Sequence, residues 1–271
     1  MSDDHDNLLA AIERQHADET AATRRKFVQG AASTIGALGL LALPTVAGAR
    51  TSRTKSDTGN NTTENILNVA VTAEVLATIV NTIGWEKGLG GDAVTQRNIR
   101  AAAREELIHY DILRSFGAQP ITKRIWVPDA VFANRTGLLS ALEVGDQIFV
   151  NAYLIGALSF GNAGNGVLAA YAAEFMGVEA VHRALARQSL GKLGNDRAFM
   201  KFDQKERAPD APDKGTQGFN NILTAVTRLQ SAGFGFDAEG ATPGAFYHFD
   251  QVKTRTPDDP DVNTRRPAPD A

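Results

Sequence analysis

The sequence contains no cysteine. That absence excludes disulfides, thiolate metal sites, iron–sulfur clusters, a cysteine nucleophile and a lipidated cysteine anchor. An excess of positive charge is missing too: 28 Lys and Arg stand against 31 Asp and Glu, a net charge of -3. Phosphate recognition needs a basic face, so no nucleic-acid partner is expected. No run of 18 consecutive apolar residues occurs, so no stable membrane anchor is expected. What remains is a globular composition, with 43% hydrophobic and 22% charged residues over 271 positions. It suits one or two domains with a full core.

The first 49 residues do not read as part of a fold. A polar, mainly acidic stretch leads to Thr23-Arg24-Arg25-Lys26-Phe27-Val28, then to an apolar run from Gly30 to Leu43, Pro44, and Ala47-Gly48-Ala49. Fourteen apolar residues are too few to span a bilayer but suit a signal peptide, and the small-x-small triplet suits its cleavage site. An ordinary amphipathic helix with two chance arginines is the competing reading. The order of motif, apolar run and cleavage site favours a signal. The paired arginines resemble the twin-arginine (Tat) export signal, which implies the Tat machinery as partner, a cargo exported already folded, and a periplasmic or extracellular location. The mature chain would begin at Arg50.

Residues 50–61 read as a polar linker, and from Thr62 the apolar residues take up long helical periods. The spacing predicts helices from Thr62 or Thr63 to about Ile83, from Asp92 to Phe116, from about Thr136 to Phe160, and from about Val167 to Leu193. Glycines close them, and a crossover with an extended piece (Ile125-Trp126-Val127) spans Ile121 to Arg135. The fold class is therefore all-α: an antiparallel four-helix bundle over 62–193, its two hairpins joined by a long crossover between helices 2 and 3. A C-terminal extension over 194–249 carries a short fifth helix, Phe219 to Gln230, and is expected to pack on the bundle. The Pro-rich tail 250–271 is expected to be disordered.

Each of the four predicted helices puts a charged residue where the core should be. Glu74 sits mid-stripe on the first, Glu106 and His109 on the second, Glu143 on the third, Glu179 and His182 on the fourth. Glu106-Leu107-Ile108-His109 and Glu179-Ala180-Val181-His182 are both Glu-x-x-His, and residues at i and i+3 share a helix face. Glu74 precedes Glu106 by 32 positions and Glu143 precedes Glu179 by 36, so the hairpins repeat one another. Facing halves bring four carboxylates and two imidazoles to one axis. Four ionised carboxylates in a dry core would repel each other and protonate, whereas two divalent cations neutralise them. The oxygen and nitrogen donors suit iron, manganese or zinc. One Glu-x-x-His alone is common on surface helices; the ordered set of six on four faces is what points to a metal site.

Asp146 and Gln147 fit either hydrogen-bond partners that orient ligands or plain helix-axis polarity. Tyr110 and Tyr171 are expected to serve packing rather than electron transfer. Glu105 and Glu174 are expected to face outward, and His248 to pack rather than ligate.

These residues give the chain its likeness to known proteins. Ile66-Leu67-Asn68 through Glu74, the first Glu-x-x-His, Leu142-Glu143 with Ala152-Tyr153-Leu154, Val178 through His182, and Ala232-Gly233-Phe234-Gly235 resemble the ferritin-like superfamily of di-iron carboxylate proteins. More narrowly, they are similar to its exported, desiccation-related branch. The resemblance covers about residues 62 to 236, and departs at Ala77, where relatives often carry a second acid. It implies two metal ions, iron first and manganese as the alternative. It also implies a redox or stress-protective role with dioxygen or peroxide as possible substrate. The alternatives are a dimanganese catalase-like peroxide disproportionation and a non-enzymatic stress protein with a structural metal. The extension after Leu193 should cover one flank, giving a monomer or small homo-oligomer and not a storage cage.

Overall fold

A computed structural model describes residues 59–195 and 218–258, and every structural statement below concerns these. The segment expected to be an export signal, most of the expected linker, residues 196–217 and those from 259 onward lie outside them. The described chain is helix-rich with one small sheet. Four long helices dominate: α1 (Thr63–Glu86), α2 (Ala93–Ser115), α4 (Arg135–Asn162) and α5 (Gly166–Ser189). Between the two pairs run strand β1 (Arg124–Pro128) and the short α3 (Asp129–Phe132). After them come α6 (Leu223–Ser231), β2 (Gly235–Phe236), β3 (Gly244–His248), α7 (Phe249–Val252) and a 3-10 turn, Lys253–Arg255.

Each long helix starts at a side chain that accepts an orphan backbone N–H. Thr62 takes that of Asn65, Asp92 that of Thr95, Asn134 that of Gly137, and Asn165 that of Leu168. Such caps are each worth about 1 kcal/mol. Gly117 at φ 87° and Gly164 at φ 77° turn the chain out of α2 and α4 in the left-handed region that a Cβ disfavours. Helices α1 and α4 run three and two residues beyond their predicted ends, to Glu86 and Asn162, while α2 and α5 stop one and four residues short, at Ser115 and Ser189.

Helix α1 packs along α2, α4 packs along α5, and the two pairs meet through α1 against α4 and α2 against α5. Helix α1 is buried nearly all round, with Val71, Val75 and Ile79 fully enclosed. It and α4 are apolar and long enough to cross a membrane, yet 94% of the most apolar stretch of α1 is buried by its own chain.

The C-terminal segment packs on this helical core, α7 against α1 and α6 against α4. Two buried asparagines hold its beginning. Asn151 donates to the Phe219 carbonyl at 2.7 Å and accepts from the Phe219 N–H at 3.0 Å. Asn61 donates to the Asn220 carbonyl at 2.7 Å and accepts from the Ile222 N–H at 2.8 Å. Helix α6 begins at Leu223, later than the predicted Phe219, because the preceding residues are engaged in these bonds.

The extended crossover piece becomes the central strand of an antiparallel sheet ordered β2-β1-β3. Ile125 pairs with Phe236 on one side and with Tyr247 on the other. The sequence reading did not foresee this sheet. Nor did it foresee order beyond Asp250: Phe249 is fully buried against Tyr110, with ring centroids 4.5 Å apart, and the chain stays helical to Arg255. The expectation of a disordered tail from residue 250 is corrected for 250–258, because Val252 also enters the core at 2% exposure.

Candidate metal centre

Helical spacing puts Glu74 on α1, Glu106 and His109 on α2, and Glu179 and His182 on α5 on the buried faces of their helices. Glu74, Glu106 and Glu179 are completely buried, and the two histidines nearly so. Ligand atoms of Glu74, Glu106, His109 and Glu179 all lie within 4.8 Å of one another.

The two glutamates of the Glu-x-x-His motifs split their oxygens between the two histidines. His109 Nδ1 is 3.5 Å from Glu106 Oε2 and 3.5 Å from Glu179 Oε1, with Glu74 Oε1 at 3.7 Å. His182 Nδ1 is 3.1 Å from Glu106 Oε1 and 3.7 Å from Glu179 Oε2. Donor atoms each about 2.1 Å from a common cation stand about 3.0–3.5 Å apart, so these separations suit a shared ion.

The hydrogen bonding fits the same conclusion. Both oxygens of Glu106 and of Glu179, Glu74 Oε2, and Nδ1 of both histidines are buried without a hydrogen-bond partner. A single imidazole N–H cannot serve three carboxylates, and buried carboxylate oxygens left bare carry a heavy desolvation cost. Burial, then the charge of Glu106, raises the Glu74 carboxyl to about 7, against the pull of His109. Burial opposes charge on His109, but Glu74, Glu106 and Glu179 outweigh it and lift the imidazole well above its ordinary range. His182 is lifted likewise, with burial opposing and Glu106 and Glu105 raising. The group thus clings to protons, as a cation site does when protons stand in for the cation.

Neighbours fix the orientation. Tyr153, buried on α4, donates its hydroxyl to Glu74 Oε1. The His109 ring stacks on Phe175 at 4.1 Å between centroids. Tyr171 lies against Phe175 and Phe116, and Tyr110 packs in the core against Phe249.

Glu143 stands apart from this group. Its carboxylate is bound by Arg187 and Lys192, cations on and just beyond α5, and it keeps 15% exposure. The expectation that it joins the buried set is therefore corrected. On the same helix, Asp146 is buried at 3% and carries an unpartnered Oδ2. Burial first, then the charges of Glu179 and Glu106, hold its carboxyl well above the ordinary range, with His182 pulling the other way. A signal for it was present in the numbering: Asp146 precedes Glu179 by 33 positions, close to the 32 between Glu74 and Glu106.

Glu105 also departs from expectation. Its Oε2 lies 2.6 Å from His182 Nε2, so it turns inward while Glu174 stays exposed. His248 is exposed on β3, without the packing role foreseen.

No protein-family model, curated protein or solved structure matches this chain. The donor set and its geometry therefore carry the functional reading: a buried carboxylate and histidine cluster able to hold metal.

Proposed function

We propose that this chain is an exported, ferritin-like protein whose four long helices form an antiparallel bundle around a dinuclear metal centre. The observation that carries the reading is the division of Glu106 and Glu179, each giving one oxygen to the His109 side and the other to the His182 side. Carboxylates so divided would help to hold two ions, one on each histidine's side. Glu74 completes the His109 half. Asp146, and not Glu143, completes the other, which its burial and its 33-residue spacing to Glu179 support. The set of six becomes Glu74, Glu106, His109, Asp146, Glu179 and His182, with iron as the first expected metal and manganese as the second.

When bound, the metal pair supplies open coordination positions and electrons for reaction with dioxygen or peroxide. The chain's own groups bind and orient. Glu105 accepts the proton held at His182 Nε2, which turns the Nδ1 lone pair toward the centre. Tyr153 donates its hydroxyl to Glu74 Oε1, the oxygen that faces His109 Nδ1, and so fixes the carboxylate's orientation. Phe175 covers the face of the His109 ring and keeps water from it. A bundle flank covered by residues 219–258 favours one to four chains over a hollow shell, and light scattering on the mature protein checks this.

Elemental analysis of protein exported with its native signal tests the reading, followed by an optical spectrum after adding peroxide. About two metal ions per chain are expected, with a spectral change on oxidation. Protein that carries no iron, manganese or other divalent metal, and takes up none on titration, would refute it.

A further inference from the structure

Two cavities between the long helices share the wall residues Asn81, Leu142 and Asp146. Asn81 on α1 and Asp146 on α4 therefore stand in the partition between them. The smaller space, about 20 Å³, is apolar in every other wall residue, among them Ala77, Val80, Phe149 and Phe234. The larger, about 30 Å³ and half open, is bounded by His182 and by the polar Thr95, Asn98 and Ser189. Thr95 Oγ1 and Ser189 Oγ are 3.0 Å apart, where the start of α2 meets the end of α5. Ser189 lies about 10 Å along α5 from His182 by helical rise, so this space leads from the bundle end to the centre.

Asn81 is the residue of the partition that the centre does not use. It is 2% exposed, and its Nδ2 donates to the Ala77 carbonyl at 3.1 Å. A carbonyl only accepts, so this bond fixes the amide and leaves Oδ1 buried without a hydrogen-bond partner. A bare buried amide oxygen costs free energy that a leucine of similar size would not. Asp146 Oδ2 and His182 Nδ1, in the walls of the same space, are also buried without a hydrogen-bond partner. Glu105 accepts the hydrogen on His182 Nε2, so Nδ1 presents a lone pair. The unmet atoms around this space are thus two oxygens and a nitrogen, a donor set for a divalent cation. Thr95, Asn98 and Ser189 add hydroxyl and amide oxygens at the outer end. A hydrated cation sheds waters only where other oxygens replace them. Beyond the shared partition the apolar cavity offers none, so the larger cavity is the passable side.

We propose that the larger cavity is the entry route by which divalent cations reach the centre, and that Asn81 Oδ1 receives the ion before Asp146 and His182 take it over. The route presupposes the dinuclear reading above. Asn81 belongs to the route and not to the centre, so its loss changes how fast metal arrives and not how much is finally held.

Cobalt(II), whose absorption reports binding by oxygen and nitrogen ligands, is mixed with metal-free protein in a stopped-flow instrument, and the final content is read by elemental analysis. Asn81→Leu should fill about tenfold more slowly, the scale of one polar partner lost to an ion, and reach the wild-type content. Asn81→Asp keeps an oxygen at the position and should fill at least as fast as wild type. Ala102→Leu narrows the cavity from α2 and should also slow filling. Filling of either leucine variant at the wild-type rate overturns the route. Equal slowing in Asn81→Leu and Asn81→Asp overturns it too, as does a lower final content in Asn81→Leu, which would make Asn81 a support of the centre. Wild-type protein that binds no cobalt refutes the dinuclear reading and the route with it. Wild-type protein that fills, with Asn81→Leu unaffected, refutes the route alone.

Discussion

Glu105 holds the far nitrogen of His182: its Oε2 is 2.6 Å from Nε2, while Nδ1 of the same ring stands 3.1 Å from Glu106 Oε1. Adjacent residues of α2 thus grip the two edges of one imidazole on α5. Partners of this kind set tautomer and ring angle, and their loss commonly weakens metal affinity about 10–100-fold. Glu105→Ala should do so at one of the two ions while Glu105→Gln, which can still accept through its amide oxygen, should be milder. Competitive chelator titration of both variants gives the comparison.

Asp146→Asn should lower metal occupancy at one of the two positions, and Glu143→Gln should leave it intact. Glu143 is occupied by Arg187 and Lys192, so its removal should affect only local stability. Surface pairs contribute about 0–1 kcal/mol, and this one, with Glu143 and Arg187 largely shielded, should lie at or above the top of that range. Elemental analysis after dialysis separates the two variants, and full occupancy in Asp146→Asn would return the fourth carboxylate to the open list.

The metal-free protein should lose stability as pH rises. Glu74 titrates at about 7 in the fold against 4.5 in an unfolded chain, so the folded state binds more protons between those values. Stability is then fully present below 4.5 and declines as pH climbs to about 7. The histidines, lifted above 6.5, and Asp146, lifted above 3.8, act in the same direction. Bound cations replace those protons, so the loaded protein should show the opposite trend as its ligands deprotonate. Thermal melts of both forms from pH 4.5 to 8 check the pair of slopes; a metal-free protein that gains stability across that range would contradict the buried geometry.

Phe249→Ala should destabilise the whole fold and not a tail. A fully buried phenylalanine truncated to alanine costs about 3–5 kcal/mol, and Phe249 is fully enclosed against Tyr110. Urea unfolding followed by helical circular dichroism should show a lower midpoint with a single transition. A midpoint unchanged from wild type would mean the segment 249–258 is not docked.

Export by the folded-protein route is tested at the arginine pair. Changing Arg24 and Arg25 together to lysine should hold the precursor in the cytoplasm, and the mature protein from the unaltered precursor should begin near Arg50. N-terminal sequencing and cell fractionation give both answers.

Helix starts were legible at Thr62 and Asp92 because these are short polar residues set before apolar periods, a signal held entirely in the local sequence. The Glu-x-x-His pairs were legible for the same reason. The choice between Glu143 and Asp146 was not. They sit three residues apart on one helix; the 33-residue spacing to Glu179 leans toward Asp146, but the cations that draw Glu143 away, Arg187 and Lys192, belong to a different part of the chain. Glu105 was read as exposed because its neighbour Glu106 takes the buried face, yet its side chain still reaches across to α5. The sheet left no pattern: β2 has two residues, and Gly235 and Gly244, paired with Trp126 and Pro128, give no alternation to read.

The clamps that Asn61 and Asn151 place on residues 219–222 join positions up to 161 apart. A nascent chain emerging amino end first therefore has to wait. Until residues 235–248 leave the ribosome, both edges of β1 stay unsatisfied, and Tyr110 lacks its cover until Phe249 follows. The helices can pair early, since each hairpin closes over a short loop, but the enclosure of the core is completed only once residues 219–258 are made. A chain cut short before these residues would present open strand edges on β1 and an uncovered Tyr110, the kind of surface that other chains pair with.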